Sequence, residues 1–472
     1  MNVTGLWWAS GTAFLISLVL TPIVRDVFRA YNVVDRPGRR KVHAYPIPRV
    51  GGVSIMAAYL AALLFSRGPG SPFPVHWLRT VLAGAVIMFL VGLLDDFVNL
   101  RPRVKLLGQI AAACTAFALG IQIENLGGFQ LPVWIGLPVT VFWLLLTTNA
   151  LNLMDGLDGL CSGIGFWATL AFVAVALANG NPVLAYTAMP LSGALLGFLF
   201  FNFNPATVFL GDSGALLTGF LLGCFGIIWT GHRVTALNAT FLVFVLCVPL
   251  LDLGLSIARR LLKNHPIFAA DRGHIHHRLL DLGFSVRRAA FTLYAAEIVG
   301  SGFGLALIML LIRYRGVGQT VLPAVVAVAA AGTTLAGIGS LRYAEFEVAA
   351  RYLFGGEMRS VLARAMRIRR LEISLESVRT PDEWWSLVAA AAREEKWGVI
   401  RWIAGDNTVR ETVRHDGRPS WSFSVTLVSG GSIQVEGDEA SALSGDPVGF
   451  SMMLQRSLQE RLRGWEPVAS LP

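Results

Sequence analysis

Long apolar runs, separated by short polar stretches, fill the first 341 residues of the chain. The first run covers residues 5–24, and it has neither a basic segment before it nor a cleavage site after it, so we expect a retained helix. The further runs lie near 51–66, 78–94, 104–120, 133–148, 161–179, 184–201, 213–229, 237–257, 290–312 and 319–340. A helix needs about 20 apolar residues to cross a bilayer, so this pattern predicts an all-α polytopic membrane protein with about 11 transmembrane helices.

The pattern changes after residue 341, where helical and strand periodicities alternate over a more polar background. Residues 342–379 predict an amphipathic linker helix, which lies against anionic headgroups or is simply solvated. Residues 380–472 predict a small α+β domain whose layout is like a truncated GAF or PAS module, with no candidate catalytic residue. Its first helix should begin at the capping sequence Thr380–Glu383. Its predicted strands are 398–403, 408–414, 420–428 and 432–436, followed by a helix over 448–463.

Composition agrees with a membrane protein, because 54% of the residues are apolar, 15% are charged and the mean hydropathy is +0.59. The net charge of +9 belongs to residues 1–341, since the remainder of the chain is nearly neutral. Basic loops mark the cytoplasmic side of a membrane protein, so this surplus does not predict nucleic-acid binding. The four cysteines lie in apolar runs without paired spacing, which predicts small buried residues rather than disulfides or a metal site.

The distribution of Lys and Arg predicts how the helices are oriented. With the N-terminus outside, the inner loops carry 17 basic residues and the outer loops carry 5. This excess follows the positive-inside rule, and it places the N-terminus in the periplasm and the C-terminal domain in the cytoplasm. It also brings every Asp of the first 341 residues to or near the cytoplasmic face.

Aspartates at the ends of separate apolar runs are the main candidates for chemistry, and they are Asp95, Asp96, Asp155, Asp158 and Asp212. Ionisable groups at membrane depth are costly and by default mark a functional site. Carboxylates gathered at one face repel each other unless a cation or a proton joins them, and Mg²⁺ prefers such oxygen ligands. With basic loops as counter-charges, the pattern predicts metal-assisted phosphoryl transfer between a soluble nucleotide and a membrane-embedded acceptor.

Each cluster also has an ordinary structural explanation. Asp95 and Asp96 could end a helix, the run 149–160 could be an Asn-, Asp- and Gly-rich turn, and Asp212 could cap a helix. The histidine spacing in DRGHIHH (271–277) does not match a zinc site. A secondary transporter is the alternative from another class of protein, since acids in its helices mark ion pathways. Transporter acids lie near the midplane between repeats, however, and this chain shows no repeated motif.

Five stretches, in this order, resemble the polyprenyl-phosphate N-acetylhexosamine-1-phosphate transferases (glycosyltransferase family 4), in particular the bacterial branch that starts O-antigen and teichoic-acid type polymers. They are DRPGRRKVHAYPIPRVGG (35–52), GLLDDFVNLRPRVKLLGQ (92–109), NALNLMDGLDGL (149–160), FNFNPATVFLGDSG (201–214) and DRGHIHHRLLDLG (271–283). The resemblance implies transfer of a sugar-1-phosphate from a UDP-sugar donor to a polyprenyl phosphate, with release of UMP. It further implies undecaprenyl phosphate as acceptor, the bacterial inner (plasma) membrane as location, and a homodimer.

The resemblance also implies roles for individual residues. Asp212 would be the main Mg²⁺ ligand, with Asp155 beside it and Mn²⁺ as a substitute for Mg²⁺. Asp95 would assist the attacking oxygen of the lipid phosphate near Asp96, and Asp158 would help Asp155 hold the metal and nucleotide. The residues implied in substrate binding are Lys41, Asn152, Asn202, Phe209, Arg272, His274, His276 and His277. Among them, Asn202 and Phe209 would contact the uridine end of the donor, with the uracil stacked on the ring of Phe209. Direct attack by the lipid phosphate is favoured over a covalent aspartyl intermediate, because that phosphate is already a nucleophile.

The sugar is predicted from the histidine motif. HIHH resembles the N-acetylhexosamine branch, whereas the branch that transfers MurNAc-pentapeptide carries three consecutive histidines. UDP-GlcNAc is therefore the leading donor. UDP-GalNAc, a modified UDP-amino sugar and UDP-MurNAc-pentapeptide remain alternatives with the same chemistry.

Overall fold

The structure is a computed structural model. It describes residues 3–31, 33–35, 46–66, 75–231, 233–262, 273–313, 332–333, 337, 339–341, 370–375, 378, 380–394, 399–404, 407–413, 421–426 and 431–437. The chain divides into two compact units, Met1–Glu345 and Phe346–Pro472. Most of the predicted span 319–340, most of the predicted linker helix and the predicted helix 448–463 lie outside the described residues.

The first unit consists mainly of helices. They are α1 Val3–Ala30, α2 Gly51–Phe65, α3 Val75–Val98, α4 Pro102–Ala118, α5 Val133–Leu153, α6 Leu160–Ala178, α7 Pro182–Asn202, α8 Gly211–Thr230, α9 Ala236–Val245, α10 Cys247–Leu262, α11 Ile275–Asp281 and α12 Val286–Arg313. Ten of the predicted apolar runs therefore coincide with described helices. Among the described residues, seven helices are long and apolar enough to cross a membrane, or eight spans result if the bent pair α9–α10 is one span. The chain is thus a multi-pass membrane protein.

Helix α8 lies at the centre of the first unit and is buried along most of its length. Helices α2, α3, α5 and α6 pack against it, while α1 packs against α7. The close packing of α2 and α3 against α8 depends on one glycine in each of these two helices. A methyl group at Gly92 of α3 would come within 2.5 Å of the Asp212 carbonyl oxygen, and one at Gly52 of α2 would overlap the backbone of Ser213. The first turn of α8 is therefore held closely between α2 and α3.

Several helix starts follow from local sequence. Helices α4 and α7 begin with proline, which suits the first turn because the N–H that it lacks would have no intrahelical acceptor there. Asn181 caps α7 by accepting from the Leu184 N–H at 3.1 Å, and Thr235 caps α9 by accepting from the Asn238 N–H at 3.2 Å. Such caps satisfy donors that the helix itself leaves unpaired.

The ninth apolar run is not the single helix that its pattern predicts. It is broken at Leu246, and the two helices α9 and α10 are bent by 87° relative to each other. Pro249 has no N–H to donate to the carbonyl of residue 245, so an unbroken helix would lose a hydrogen bond and meet a steric clash here. The predicted run 237–257 therefore corresponds to two helices, α9 and α10, and the bend turns α10 in a new direction.

A small sheet is the part of the first unit that the all-helical prediction missed. Its strands, in the order β2–β1–β3, are β1 Asn125–Leu126, β2 Phe129–Gln130 and β3 Arg233–Val234. Strand β1 is antiparallel to β2 and parallel to β3. Because β3 follows the last turn of α8, the sheet lies at the opposite end of α8 from Asp212. Two-residue strands are too short to produce an alternating pattern, so nothing in the sequence predicted them.

The second unit contains a helix, α13 Pro381–Glu394, and an antiparallel sheet of order β5–β4–β7–β6. The strands are β4 Val399–Ala404, β5 Asn407–Val413, β6 Trp421–Thr426 and β7 Gly431–Gly437. Each strand end lies within two residues of its predicted position. Thr380 Oγ1 accepts from the Glu383 N–H at 3.3 Å, as the capping sequence predicts. Trp384 and Trp385 of α13 pack against Trp402 of β4, with ring centroids 6.0 and 6.4 Å away.

Candidate active site

Two predicted aspartates from different helices share one ammonium group. Lys105 Nζ of α4 lies 2.9 Å from Asp95 Oδ2 of α3 and 2.9 Å from Asp212 Oδ2 of α8. The other oxygen of Asp95 accepts from the Leu100 N–H at 2.6 Å. The three charged side chains are 10–19% exposed, so their charges interact strongly. Lys105 therefore offsets the repulsion between the two carboxylates.

Asn152, at the end of α5, belongs to the same group. With its amide oriented to satisfy both atoms, its nitrogen donates to Asp212 Oδ1 at 2.8 Å and its oxygen accepts from Lys105 Nζ at 3.3 Å. One turn away, the amides of Gln109 and Asn149 pair at 3.0 and 3.3 Å and tie α4 to α5. The predicted substrate-binding residue Asn152 thus fixes the orientation of the predicted metal ligand Asp212.

Asp96 bonds to the backbone of α8 and not to Lys105. Its Oδ1 accepts from the Asp212 N–H at 2.7 Å, and its Oδ2 accepts from the Ser213 N–H at 2.9 Å. The first N–H groups of a helix lack intrahelical partners, and the helix dipole also favours a negative charge there. Asp96 therefore caps α8 from a neighbouring helix and holds Asp212 in place.

Asp155, in the turn after α5, faces the same carboxylates and one arginine. Burial raises the pKa of the Asp155 carboxyl well above its ordinary value, and the Arg49 guanidinium opposes this shift. The carboxylates of Asp212 and Asp96 raise the pKa of Asp155 further. Burial lowers the pKa of Arg49, but the carboxylates outweigh burial and raise it overall. Asp155 therefore keeps its proton to a higher pH than an isolated aspartate, unless another cation joins the cluster.

The first and fourth motifs pair through their backbones, which brings Arg49 to the site. Phe209 N–H donates to the Pro48 carbonyl at 2.9 Å, and Gly51 N–H donates to the Phe209 carbonyl at 3.0 Å. Gly211, with φ +73°, then turns the chain into α8 beside Asp96. Phe209 is thus anchored by its backbone, and stacking of its ring on uracil stays a prediction.

Asp158 holds the loop that leads to Phe209. Its Oδ2 accepts from Asn204 Nδ2 at 2.9 Å and from the Ala206 N–H at 3.0 Å. Arg287 Nε donates to the Asn204 carbonyl at 2.9 Å from the other side. The structure therefore gives Asp158 a loop-holding position, and its predicted role in holding metal and nucleotide stays a prediction.

The buried side chain of Asn202 bonds to the same loop and links it to α6. Its Nδ2 donates to the Val208 carbonyl at 3.0 Å, and its Oδ1 accepts from Ser162 Oγ at 2.6 Å. The residue is 3% exposed. Both ends of its amide are thus used within the protein, so its predicted contact with uridine stays a prediction.

The histidine motif lies against the turn that carries Asp155 and Asp158. The ring of His276 is so close to Gly156 that a methyl group at Gly156 would overlap it. The rings of His274 and His276 are parallel with centroids 5.7 Å apart, and the His277 ring is 4.3 Å from that of His276. Burial lowers the pKa of His276 to about 3, and the neighbouring His277 contributes to the shift. His276 is therefore neutral at physiological pH.

Two predicted residues, Lys41 and Arg272, lie outside the described residues. Within the described part of the chain, no three His, Cys, Asp or Glu side chains are arranged to hold a metal ion. Mg²⁺ commonly takes only one or two protein carboxylates and completes its shell with water and phosphate. The carboxylates of Asp212 and Asp155 therefore fit such a cation by their chemistry.

Sequence reasoning missed two cations of the site, Lys105 and Arg49. Lys105 was visible as a lone charge inside the apolar run 104–120, nine residues after Asp96. Arg49 was visible in the first motif, two residues before the glycine pair Gly51–Gly52. Neither position shows by itself which carboxylate it meets, because that depends on how α4 and the segment before α2 pack.

Comparison with known proteins agrees with this geometry. Residues 78–230, which include all five predicted aspartates, match glycosyl transferase family 4. The "Probable undecaprenyl-phosphate N-acetylglucosaminyl 1-phosphate transferase" of Bacillus subtilis (strain 168) is 33% identical over 63% of this chain and 84% of the relative. The decaprenyl-phosphate N-acetylglucosaminephosphotransferase of Mycobacterium tuberculosis (strain H37Rv) is 35% identical over 60% of this chain and 78% of the relative.

A third relative belongs to the other branch. The phospho-N-acetylmuramoyl-pentapeptide-transferase of Desulforudis audaxviator is 32% identical over 63% of this chain and 96% of the relative. These matches exceed 30% identity and cover most of each relative. The motifs, the convergent carboxylates and these matches together place the chain in glycosyl transferase family 4.

Proposed function

We propose that this protein transfers GlcNAc-1-phosphate from UDP-GlcNAc to undecaprenyl phosphate, giving undecaprenyl-diphospho-GlcNAc and UMP. This would be the first membrane step of a cell-surface polysaccharide. The observation that carries the proposal is the group formed by Asp95, Lys105, Asn152 and Asp212, which come from four helices and meet at one end of α8. Three of these side chains are charged, and such groups are retained in a membrane protein chiefly where chemistry requires them.

Different residues of the site would have different roles in phosphoryl transfer. Lys105 and Arg49 are cations set among carboxylates, and they are the described groups suited to bind phosphate oxygens of the substrates. Asp95, held by Lys105 and the Leu100 N–H, would orient the attacking oxygen of the lipid phosphate. An anionic phosphate is already a nucleophile, so direct attack needs no aspartyl intermediate.

Mg²⁺ is the proposed cofactor, with Mn²⁺ as a substitute. Asp212 and Asp155 would hold it, and when bound it would neutralise charge that develops on the phosphoryl oxygens. Asn152 and Asp96 would keep Asp212 in position through its carboxylate and its backbone, respectively. Burial raises the pKa of Asp155, and a cation bound nearby would lower that pKa and favour the ionised carboxylate.

The donor is proposed from the relatives and from the histidine motif. Two relatives described above act, by their names, on N-acetylglucosamine, and one acts on phospho-N-acetylmuramoyl-pentapeptide. UDP-MurNAc-pentapeptide is therefore the second candidate donor, followed by other UDP-amino sugars. The parallel rings of His274 and His276 beside the Asp155–Asp158 turn support a role for this motif in donor binding.

The proposed setting is the bacterial inner membrane, with eleven spans, the N-terminus in the periplasm and the site in the cytoplasm. The excess of basic residues in the inner loops supports this orientation. The C-terminal domain is proposed to be cytoplasmic and accessory, and a homodimer is proposed from the family resemblance. Removing residues after about 345 should leave transferase activity, and complete loss of activity in a folded truncated protein would contradict the accessory role.

The proposed function is tested with detergent-purified protein, undecaprenyl phosphate and labelled UDP-GlcNAc, with Mg²⁺ or with EDTA. We expect Mg²⁺-dependent UMP release and label transfer to lipid, lost in the Asp212→Asn variant. Asp26→Asn is a matched control, because Asp26 is exposed and pairs only with the adjacent Arg25 among the contacts described. Activity with another UDP-sugar alone would change the donor. Absence of transfer from every UDP-sugar by folded protein would sink the proposal and favour the transporter.

A further inference from the structure

Helix α10 carries a buried polar face that the transfer chemistry above does not use. Asp252, Ser256 and Arg259 are spaced by four and three residues, which places them on one side of the helix. They are 0%, 0% and 2% exposed. A buried polar face is costly unless it has partners, so its contacts indicate its purpose.

The partner of Asp252 is the start of the histidine motif. Asp252 Oδ2 lies 2.7 Å from His274 Nδ1, and Asp252 Oδ1 accepts from the Ile275 N–H at 2.7 Å. An ionised carboxylate can only accept hydrogen bonds, so the hydrogen in the first contact belongs to Nδ1 of the ring. One carboxylate thus holds both the ring of His274 and the backbone that follows it.

The rest of the polar face supports this pair. Ser256 Oγ lies 3.2 Å from His274 Nδ1, and Arg259 donates to Ser256 Oγ at 2.9 Å. The guanidinium of Arg259 also lies so close to Gly273 that a methyl group there would come within 2.6 Å of Nε. The segment before His274 is therefore packed directly against α10.

Helix α10 is itself fixed at the point where the ninth run breaks. Glu297 of α12 is fully buried, and its Oε2 accepts from the Val248 N–H at 3.2 Å. Val248 is in the first turn of α10, where such donors need an outside partner. Asp252 lies one turn further along, so the bend and the bond to Glu297 determine where its carboxylate points.

We propose that Asp252 is a positioning residue for the transfer reaction. Asp252 holds His274 in the tautomer that carries its hydrogen on Nδ1. The Nε2 atom of His274 can then accept a hydrogen bond from a hydroxyl or amide group of the donor sugar. The inference rests on the proposed function for its substrate. The tautomer itself is a property of the protein alone. A fixed tautomer matters because only one ring nitrogen of a neutral histidine can accept a hydrogen bond.

The test combines kinetics with solid-state NMR of the full-length protein labelled with ¹⁵N-histidine. Signals absent from the His274→Gln variant identify His274. We expect the Nδ1–H tautomer in the unsubstituted protein and its loss or mixing in Asp252→Asn. We also expect Asp252→Asn to raise the KM for UDP-GlcNAc by roughly tenfold to a hundredfold, by analogy with the loss seen when the outer partners of metal-ligating histidines are removed.

A double variant separates positioning from general stability. If Asp252 acts through His274, Asp252→Asn combined with His274→Gln should be no slower than His274→Gln alone. Additive losses, or an unchanged His274 tautomer in Asp252→Asn, would overturn the proposal. Asp281→Asn removes an exposed carboxylate from the end of α11 and should change neither the tautomer nor the KM.

If Asp252→Asn does not fold, a second variant, Asp252→Glu, tests the same proposal. Asp252→Glu keeps the carboxylate but moves it by one methylene, so we expect the Nδ1–H tautomer to persist while the KM for UDP-GlcNAc rises. Loss of the Nδ1–H tautomer in this variant without any rise in KM would overturn the proposal. Because the NMR measurement needs no substrate, absence of transfer by the unsubstituted protein would sink the proposed function alone, and the tautomer would still be measured.

Discussion

The two ends of the central helix α8 are built from different kinds of contact. At its first turn, side chains from α3, α4 and α5 meet Asp212 through ion pairs and hydrogen bonds. At its last turn, the chain continues into β3, whose contacts with β1 are between backbone groups. The side chain of Asn125 there bonds only locally among the described contacts, accepting from the Gly128 N–H at 3.0 Å.

The difference shows that, among the described contacts, buried charges are concentrated at the first turn of α8. The strand contacts described at the sheet end are between backbone groups, so ion pairs are not needed merely to close a bundle of this kind. Burying several charges is unfavourable unless each is paired, as Asp95, Lys105 and Asp212 are. The first-turn end is therefore the end where substitutions should affect chemistry, and the sheet end is where they should not.

Replacing Lys105 should have the largest effect. Lys105→Met leaves Asp95 and Asp212 without their shared counter-charge, and we expect transfer activity to fall by roughly 100- to 1,000-fold, as for loss of a preorganised electrostatic group. Thermal unfolding should also move to lower temperature in EDTA and recover partly with Mg²⁺. Lys105→Arg retains the charge and is the matched control. Activity of Lys105→Met within a few-fold of the unsubstituted protein would contradict the proposed role.

Replacing Asp96 should have the next largest effect. Asp96→Asn keeps one acceptor for the first turn of α8 but removes the other, at a cost of about 1–2 kcal/mol for a helix cap. Because the turn carries Asp212, we expect about a tenfold loss of kcat, a cost of about 1.4 kcal/mol, together with a lower unfolding temperature. The exposed Asp26→Asn serves for comparison. Full activity with reduced stability would show that the cap does not position Asp212.

Replacing Asp158 should act on substrate binding. Asp158→Asn weakens the bonds to Asn204 and Ala206, so we expect about 1 kcal/mol of loss in loop ordering, which is about fivefold in the KM for UDP-GlcNAc. The kcat should change little, because Asp158 does not contact Asp212 or Lys105 in the described contacts. Steady-state kinetics over a range of donor concentrations separates the two parameters. A large fall in kcat with Mg²⁺ present would instead support a role for Asp158 in holding the metal.

Replacing Asn125 should have the smallest effect. Asn125→Ala removes one exposed hydrogen bond at the sheet end, and we expect a change of about 0.5 kcal/mol or less in the free energy of unfolding. Transfer activity should stay within about twofold, since that free energy corresponds to a factor near two. A tenfold loss of activity would show that the sheet end takes part in the reaction, and the contrast between the two ends would fail.

Much of the fold could be predicted because it depends on local sequence. Ten apolar runs predicted where described helices lie, and the cap at Thr380 and the four strands of the second unit followed from their own patterns. Short features escaped, such as the strands of two residues and the break at Leu246. Hydrophobic periodicity and secondary-structure propensity can be recognised only over several consecutive residues, so features of one or two residues are not predicted.

The sequence alone determined which residue types are available and at which end of each helix they lie, because helix length and loop charge follow from composition along the chain. It therefore brought Asp95, Asp155 and Asp212 to one proposed face. Tertiary structure alone decided that Lys105 joins Asp95 to Asp212, that Asp96 caps α8, and that Asp252 holds His274. The reason is physical: which side chains meet depends on how each helix is rotated and how closely it packs, and those are set by contacts between residues far apart in the chain.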